Sequence, residues 1–170
     1  MADALSLTPI QDQARLSLRI NAVDAARAKD LIGAPLPGRI GQSGGDKSLR
    51  AICLGPDEWV LLLPTAGKAA LEERAQSLSA PHSLVDVSHR YEGLILDGPA
   101  AIDALHMGCP LNLRDLAIGG CTRTLFDSVE IILLRLGESC FCVEFGRSFA
   151  DYMTGRLNEA RRELERDSQE

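Results

Sequence analysis

Residues 14–21 alternate strictly, with Leu16, Leu18 and Ile20 on one side and Arg15, Ser17 and Arg19 on the other. That two-residue period predicts a half-buried strand. The spacing then changes: residues 22–32 are alanine-rich and predict a helix, which Gly33 and Pro35 stop. The stretch 38–48 (GRIGQSGGDKS) is dense in turn formers and predicts a mobile loop. Two apolar runs, 49–54 and 58–63, flank Gly55-Pro56-Asp57 and predict a hairpin. A helix follows over 67–79, with Leu71, Ala75 and Leu78 on one side.

The second half of the chain repeats this order. A short strand at 83–87 leads into an apolar run at 91–96, and Pro99 opens a helix that reaches His106. Gly108 and Pro110 end that helix. Apolar segments follow at 121–126, 129–135 and 139–145, the last two joined through Gly137. The final helix starts near Ser148, which forms a capping-box-like pair with Asp151. Its apolar positions are Phe149, Tyr152, Met153, Leu157, Ala160 and Leu164.

Residue by residue, 14–36 set against 89–111 at an offset of 75 gives seven identities in 23 positions. They are Arg15/Arg90, Ile20/Ile95, Ala25/Ala100, Ala26/Ala101, Gly33/Gly108, Pro35/Pro110 and Leu36/Leu111. Further on the offset becomes 82, where Leu54-Gly55 matches Leu136-Gly137, Trp59 matches Phe141 and Arg74 matches Arg156. The seven extra residues fall between Leu111 and Arg135. A duplicated α+β unit is the fold this predicts, with repeats at about 14–80 and 89–165 inside one domain, 13–166. Residues 1–12 are expected to be a flexible N-terminus and 167–170 a frayed tail.

Composition narrows the function more than the fold. The 170 residues carry a net charge of −6 and only seven aromatics, which argues against a general nucleic-acid binder. The opening MADALSLTPIQDQ lacks the features of a signal peptide, and five cysteines without a framework spacing suit reduced thiols. A cytoplasmic location is therefore expected.

The candidate chemistry is sparse. Gly41–Ser48 lacks the Gly-Lys-Ser/Thr order of a phosphate loop, because Asp46 separates Gly45 from Lys47. His106 and Cys109 have a usable ligand spacing, but Cys109 corresponds to Ala34 in the first repeat, the mark of a small packing position. Cys140 and Cys142 share one strand face and are expected to pack as small hydrophobes without a disulfide between them. Asp86, Ser88 and His89 invite a triad reading. On a strand, however, His89 points away from Asp86, Ser88 and Arg90, so a local polar contact is expected instead. The charged end of the last helix, Arg161 to Arg166, reads as a solvated face with ion pairs. No catalytic, cofactor-binding or metal residues emerge.

Several phrases together carry a family resemblance. These are Leu54-Gly-Pro-Asp-Glu-Trp59-Val-Leu-Leu, Asp86-Val-Ser-His-Arg90, Leu96-Asp-Gly-Pro-Ala100, Gly108-Cys-Pro-Leu-Asn-Leu113 and Arg147-Ser-Phe-Ala-Asp-Tyr152, within a resemblance that covers roughly residues 14–160. Their order resembles the gamma subunit family of heterotetrameric sarcosine oxidase. The run from Asp86 to Leu105 is also similar to the opening of the aminomethyltransferase (glycine-cleavage T-protein) folate-binding fold. The resemblance implies a duplicated α+β unit with exchanged strands and mainly antiparallel sheets. It also implies a noncatalytic partner in an enzyme that demethylates sarcosine oxidatively to glycine and passes the one-carbon unit to tetrahydrofolate. FAD, FMN, NAD, zinc and the tetrahydrofolate site would then belong to the alpha, beta and delta subunits. The alternatives are an equivalent subunit of an N-methylglutamate-type dehydrogenase complex and a freestanding folate-binding protein. The hairpin over 49–63 and the helix from Ser148 are the candidate partner surfaces.

Overall fold

The computed structural model describes residues 4–33 and 36–167. Ala34, the expected counterpart of Cys109, and Pro35, expected with Gly33 to stop the helix, lie outside the described residues. In chain order the elements are β1 (Ser6–Pro9), β2 (Gln13–Ile20), α1 (Ala22–Ile32), β3 (Ser43–Gly45), β4 (Arg50–Gly55), β5 (Glu58–Pro64), α2 (Lys68–Gln76) and β6 (His82–Asp86). They continue with β7 (Tyr91–Asp97), α3 (Ala101–His106), β8 (Cys121–Phe126), β9 (Val129–Arg135), β10 (Cys140–Gly146) and α4 (Ala150–Asp167). The chain divides into two compact units, Gln11–His89 and a second formed by residues 4–10 together with Arg90 onward.

The first unit is an antiparallel sheet in the order β3-β4-β5-β2-β6. Alternation along β2 places Leu16, Leu18 and Ile20 on the face that also carries Ala51, Cys53, Trp59, Leu61 and Leu63. Ala25, Ala28 and Ile32 of α1 and Leu71 of α2 close over that face. Each fully buried aliphatic side chain contributes roughly 1.5–3 kcal/mol by leaving water. Asn21 starts α1 by accepting a 3.0 Å bond from the Val23 N–H. Gly33 ends it in the left-handed conformation, at φ 73°.

The second unit is ordered β8-β9-β10-β7-β1. Leu94, Leu96, Ile131, Leu133, Phe141, Val143 and Phe145 pack beneath Ala101, Ala104 and Leu105 of α3 and Met153 and Leu157 of α4. The two orders are the same once β8, β9, β10 and β7 are set against β3, β4, β5 and β2. Their outer strands are exchanged: β1, which precedes the first repeat, completes the second sheet, and β6, which precedes β7, completes the first. Trp59/Phe141 and Leu61/Val143 prove to be equivalent core positions.

Register locates the extra residues of the second repeat. Ser43 pairs with Ile52, and Cys121 pairs with Leu134. The offset therefore rises from 75 to 78 before β8, and reaches 82 only across the β8–β9 hairpin. At the 78 offset, Ile40-Gly41 falls on Ile118-Gly119. The backbone treats these turns identically. Gly41 donates to the Cys53 carbonyl and Cys53 to that of Gln42, each at 3.0 Å; Gly119 donates to Arg135 at 2.8 Å and Arg135 to Gly120 at 2.9 Å. Both glycines are left-handed, with φ 84° and 80°.

Four expectations are corrected. Residues 6–9 of the expected flexible N-terminus form β1, and Leu5 beside them is fully buried in the second core. Leu5 and Leu7 alternate with Ser6 and Thr8, a period-two signal too short to stand out before Pro9. Within the expected loop 38–48, Ser43–Gly45 pairs as an edge strand. The final helix begins through a tight 3-10 turn, Arg147–Phe149, as α2 begins through Thr65–Gly67, rather than from a Ser148 capping box. Phe149 and Tyr152, expected on its core face, are 45% and 43% exposed.

Candidate functional site

The densest polar cluster lies where β6 ends. The Asp86 carboxylate accepts a 2.6 Å bond from Lys68 Nζ on its Oδ2 atom. On Oδ1 it receives both the Ser88 hydroxyl, at 2.5 Å, and the Ser88 N–H, at 2.9 Å. The Arg15 N–H of β2 donates to Ser88 Oγ at 2.9 Å, and Val87 N–H donates to the Arg15 carbonyl at 2.9 Å. The cluster thus fastens the exchanged edge strand β6 to β2 and to the start of α2. Residues Ser88–Arg90 form a tight turn rather than the expected continuation of the strand. Ser88 spends its hydroxyl proton on Asp86, and His89 is exposed and takes no part in the network. A nucleophile needs a base within hydrogen-bond reach, and the Asp86–Ser88 pair has only a carboxylate tie that holds backbone.

The bond from Lys68, followed by those from Ser88, holds the Asp86 carboxyl well below the usual carboxylate range. The same bond raises the Lys68 ammonium above its ordinary value. A depressed folded-state carboxyl stabilises the fold above its unfolded value, about 3.9, and that contribution is lost as pH falls towards the folded value. Urea unfolding followed by Trp59, the one tryptophan and a member of the same unit, is therefore expected to show falling stability below about pH 4. Asp86→Asn should flatten that fall. An unchanged acid limb in this variant would show that Asp86 does not drive it.

A second cluster belongs to the other unit. Asp127, at φ 51° in the β8–β9 turn, accepts from Tyr152 Oη at 2.9 Å and from Arg156 Nε at 3.1 Å. Arg156 also pairs with Glu159. These bonds fix the lengthened hairpin to α4. Arg74, the first-repeat counterpart of Arg156, instead donates to the Ile32 carbonyl at the end of α1, at 3.2 Å.

Arg135 forms a network with five backbone carbonyls. Its guanidinium reaches the carbonyls of Leu116 at 2.7 Å, Glu138 at 2.8 Å and Gly137 at 3.1 Å, with longer bonds to Leu113 at 3.4 Å and Arg114 at 3.5 Å. It also lies 5.5 Å from the centroid of the Phe141 ring. The equivalent position in the first repeat is Cys53, whose thiol donates to the Gly55 carbonyl at 3.3 Å. The longer loop of the second repeat thus has an arginine where the shorter one needs only a thiol. Nothing in the local sequence marks Arg135.

The expected ligand candidates do not converge. His106 Nε2 accepts the Leu113 N–H at 3.2 Å, while Cys109 is buried in the core. Burial pushes the Cys53 thiol up. Cys142 is buried and Cys140 partly so, and neither is in a disulfide. Among the described residues no group of three or more His, Cys, Asp and Glu side chains could hold a metal ion. No described helix is long and apolar enough to cross a membrane. The Asp46 carboxylate binds the Ser48 N–H and hydroxyl, at 2.8 and 2.6 Å, and so closes the Gly41–Ser48 segment with its own anion.

Exposed apolar side chains remain. Ile40 and Ile118, at equivalent turns, are 57% and 60% exposed. Phe149 and Tyr152 project from the start of α4, whereas β4 and β5 are largely buried. Of the two expected partner surfaces, the hairpin over 49–63 is therefore mostly internal. The helix from Ser148 keeps an exposed aromatic pair.

Comparison with known proteins adds independent information. Residues 19–163 match the model of the "Sarcosine oxidase, gamma subunit family". The chain is 30% identical over 143 residues to the sarcosine oxidase subunit gamma of Corynebacterium sp. strain P-1, covering 82% of this chain and 70% of that protein. It is 31% identical over 136 residues to the same-named subunit of strain U-96, covering 78% and 66% of the two chains. A chain of the heterotetrameric sarcosine oxidase structure from Corynebacterium sp. U-96, in complex with pyrrole 2-carboxylate, superposes with TM-score 0.87 at 26% identity, covering 96% of this chain and 87% of that one. The aminomethyltransferase T of the glycine cleavage system from Bartonella henselae shares the fold, with TM-score 0.69 at 18% identity over 91% of this chain and 45% of that one.

Proposed function

We propose, for a chain that belongs to the sarcosine oxidase gamma subunit family, the role of a noncatalytic subunit in a cytoplasmic, heterotetrameric sarcosine oxidase. The observation that carries this reading is the superposition on the heterotetrameric enzyme over 96% of the chain. In this reading the alpha, beta and delta partners hold FAD, FMN, NAD, zinc and the tetrahydrofolate site. They oxidise sarcosine to glycine and pass its one-carbon unit to tetrahydrofolate, while this subunit supplies a stable surface for assembly. The polar clusters support it: the Asp86–Ser88, Asp127–Arg156 and Arg135 networks each hold backbone in place.

Co-expression with the genes for the other three subunits tests the proposal. A complex containing this chain and turning over sarcosine is expected, with a loss of assembly or turnover when the chain is omitted. Unchanged assembly and turnover without it would defeat the reading. Ile40→Asp and Ile118→Asp, at positions more than half exposed, should change the stability of the isolated chain by no more than about 0.5 kcal/mol. Recovery of the chain in the complex should fall in at least one of them, because a buried, unpaired carboxylate is costly at an interface. Pull-down with a tagged partner subunit measures this.

A further inference from the structure

The second sheet depends on a strand from far away in the sequence. Residues Ser6–Pro9 pair antiparallel with Asp97–Leu94 at the sheet edge. Leu5 is fully buried, and Leu7 packs against the same core. The Ala4 carbonyl accepts the Ala100 N–H at 3.0 Å, and Ile10 N–H donates to Gly93 at 2.9 Å. The receiving groove is shaped for this segment. Gly98 has φ 134°, and a Cβ there would stand 2.5 Å from the Ala4 carbonyl oxygen; one on Gly93 would stand 2.9 Å from Ile10 Cδ1. Beyond Ile10 the chain enters a different compact unit, Gln11–His89, which is continuous and has its own core.

Gln11 and Asp12 are thus the whole connection between the donated segment and β2. Asp12 is left-handed, at φ 52°, a conformation that costs a non-glycine residue some strain. We propose that residues 4–10 are an exchangeable donor strand, and that the groove along β7 takes the same segment of a second copy to form a strand-swapped dimer of the isolated chain. Every contact of Ala4–Ile10 with its groove is kept in such a dimer, because the same sequence fills the same site. Only the hinge changes, and extending it releases the Asp12 conformation at the cost of the 3.2 Å bond that the Asp12 carbonyl accepts from the Thr65 N–H. Exchange of an identical element is a low-cost route to dimers, and short, strained hinges favour it.

The test is the mass of the purified chain by light scattering after size-exclusion chromatography. Deleting Gln11 and Asp12 removes roughly 7 Å of reach and is expected to double the mass, whereas Asp12→Gly, which relieves the strain, should stay monomeric. An excess of a synthetic peptide of residues 4–10 should return the dimer to monomer, and the same peptide carrying Leu5→Asp should not. A shortened chain that remains monomeric, or a dimer indifferent to the peptide, overturns the proposal. If the deletion prevents folding, the full-length chain refolded from urea at rising concentration decides instead. A peptide-sensitive dimer that grows with concentration supports exchange, and monomer at every concentration refutes it.

Discussion

Replacing Arg135 by methionine is expected to destabilise the unit that contains β7–β10 by about 2–4 kcal/mol. Methionine keeps apolar contact with the Phe141 ring but removes donors from five carbonyls. The carbonyls of Arg114 and Glu138 belong to exposed residues and can turn to water. The buried Leu113 carbonyl keeps the bond it accepts from the Leu116 N–H at 3.3 Å, but the half-buried Leu116 carbonyl loses its 2.7 Å partner, and an unsatisfied buried acceptor costs about 1–3 kcal/mol. For a chain of this size the loss corresponds to a fall in Tm on the order of 5–15 °C. Arg135→Lys should recover only part of it, because an ammonium group cannot bridge carbonyls lying in several directions as a guanidinium fork does. Thermal unfolding of the three proteins measures this, and a methionine variant as stable as the parent would contradict the role given to Arg135. Cys53→Ala, at the equivalent position of the first repeat, loses a weak sulfur bond to the Gly55 carbonyl and should cost clearly less.

Trp59→Ala should be more damaging to the first unit, by about 3–5 kcal/mol. Trp59 is 2% exposed, and its indole N–H donates to the Pro37 carbonyl at 2.9 Å. Truncation leaves a cavity beneath α1 and α2 and frees the loop that leads to Ile40. Trp59→Phe keeps most of the volume and reproduces the residue found at the equivalent position, Phe141. It should lose little beyond the hydrogen bond, about 1 kcal/mol. Because the native fluorophore is removed, circular dichroism during urea unfolding is the appropriate measurement. Equal losses for alanine and phenylalanine would show that the hydrogen bond, rather than the filled volume, carries the contribution.

These two residues illustrate what was legible in advance. Trp59 and Phe141 are visible as a pair because large apolar side chains are retained at the same place in each repeat, and both are core. The hairpins, the helix over 22–32 and the duplicated order follow from period and from glycine and proline punctuation, which act over a few residues. Arg135 is different. Its partners are backbone carbonyls, which every residue possesses, so no side-chain pattern could reveal them. The local polar contact expected at Asp86 and Ser88 is present, but the backbone through Arg90 is a turn rather than a strand, and the Arg15 N–H that engages Ser88 lies 73 residues away, beyond any local pattern.

By itself, then, the sequence determined the repeat and the alternating elements, because these depend on spacing and residue type within short windows. Only the tertiary structure decided that residues 6–9 are a strand, that Arg135 holds the inserted loop, and that Ile40 and Ile118 stand exposed at equivalent turns. Edge-strand pairing, carbonyl satisfaction and exposure are set by groups distant along the chain. Their energies arise only when folding brings those groups together.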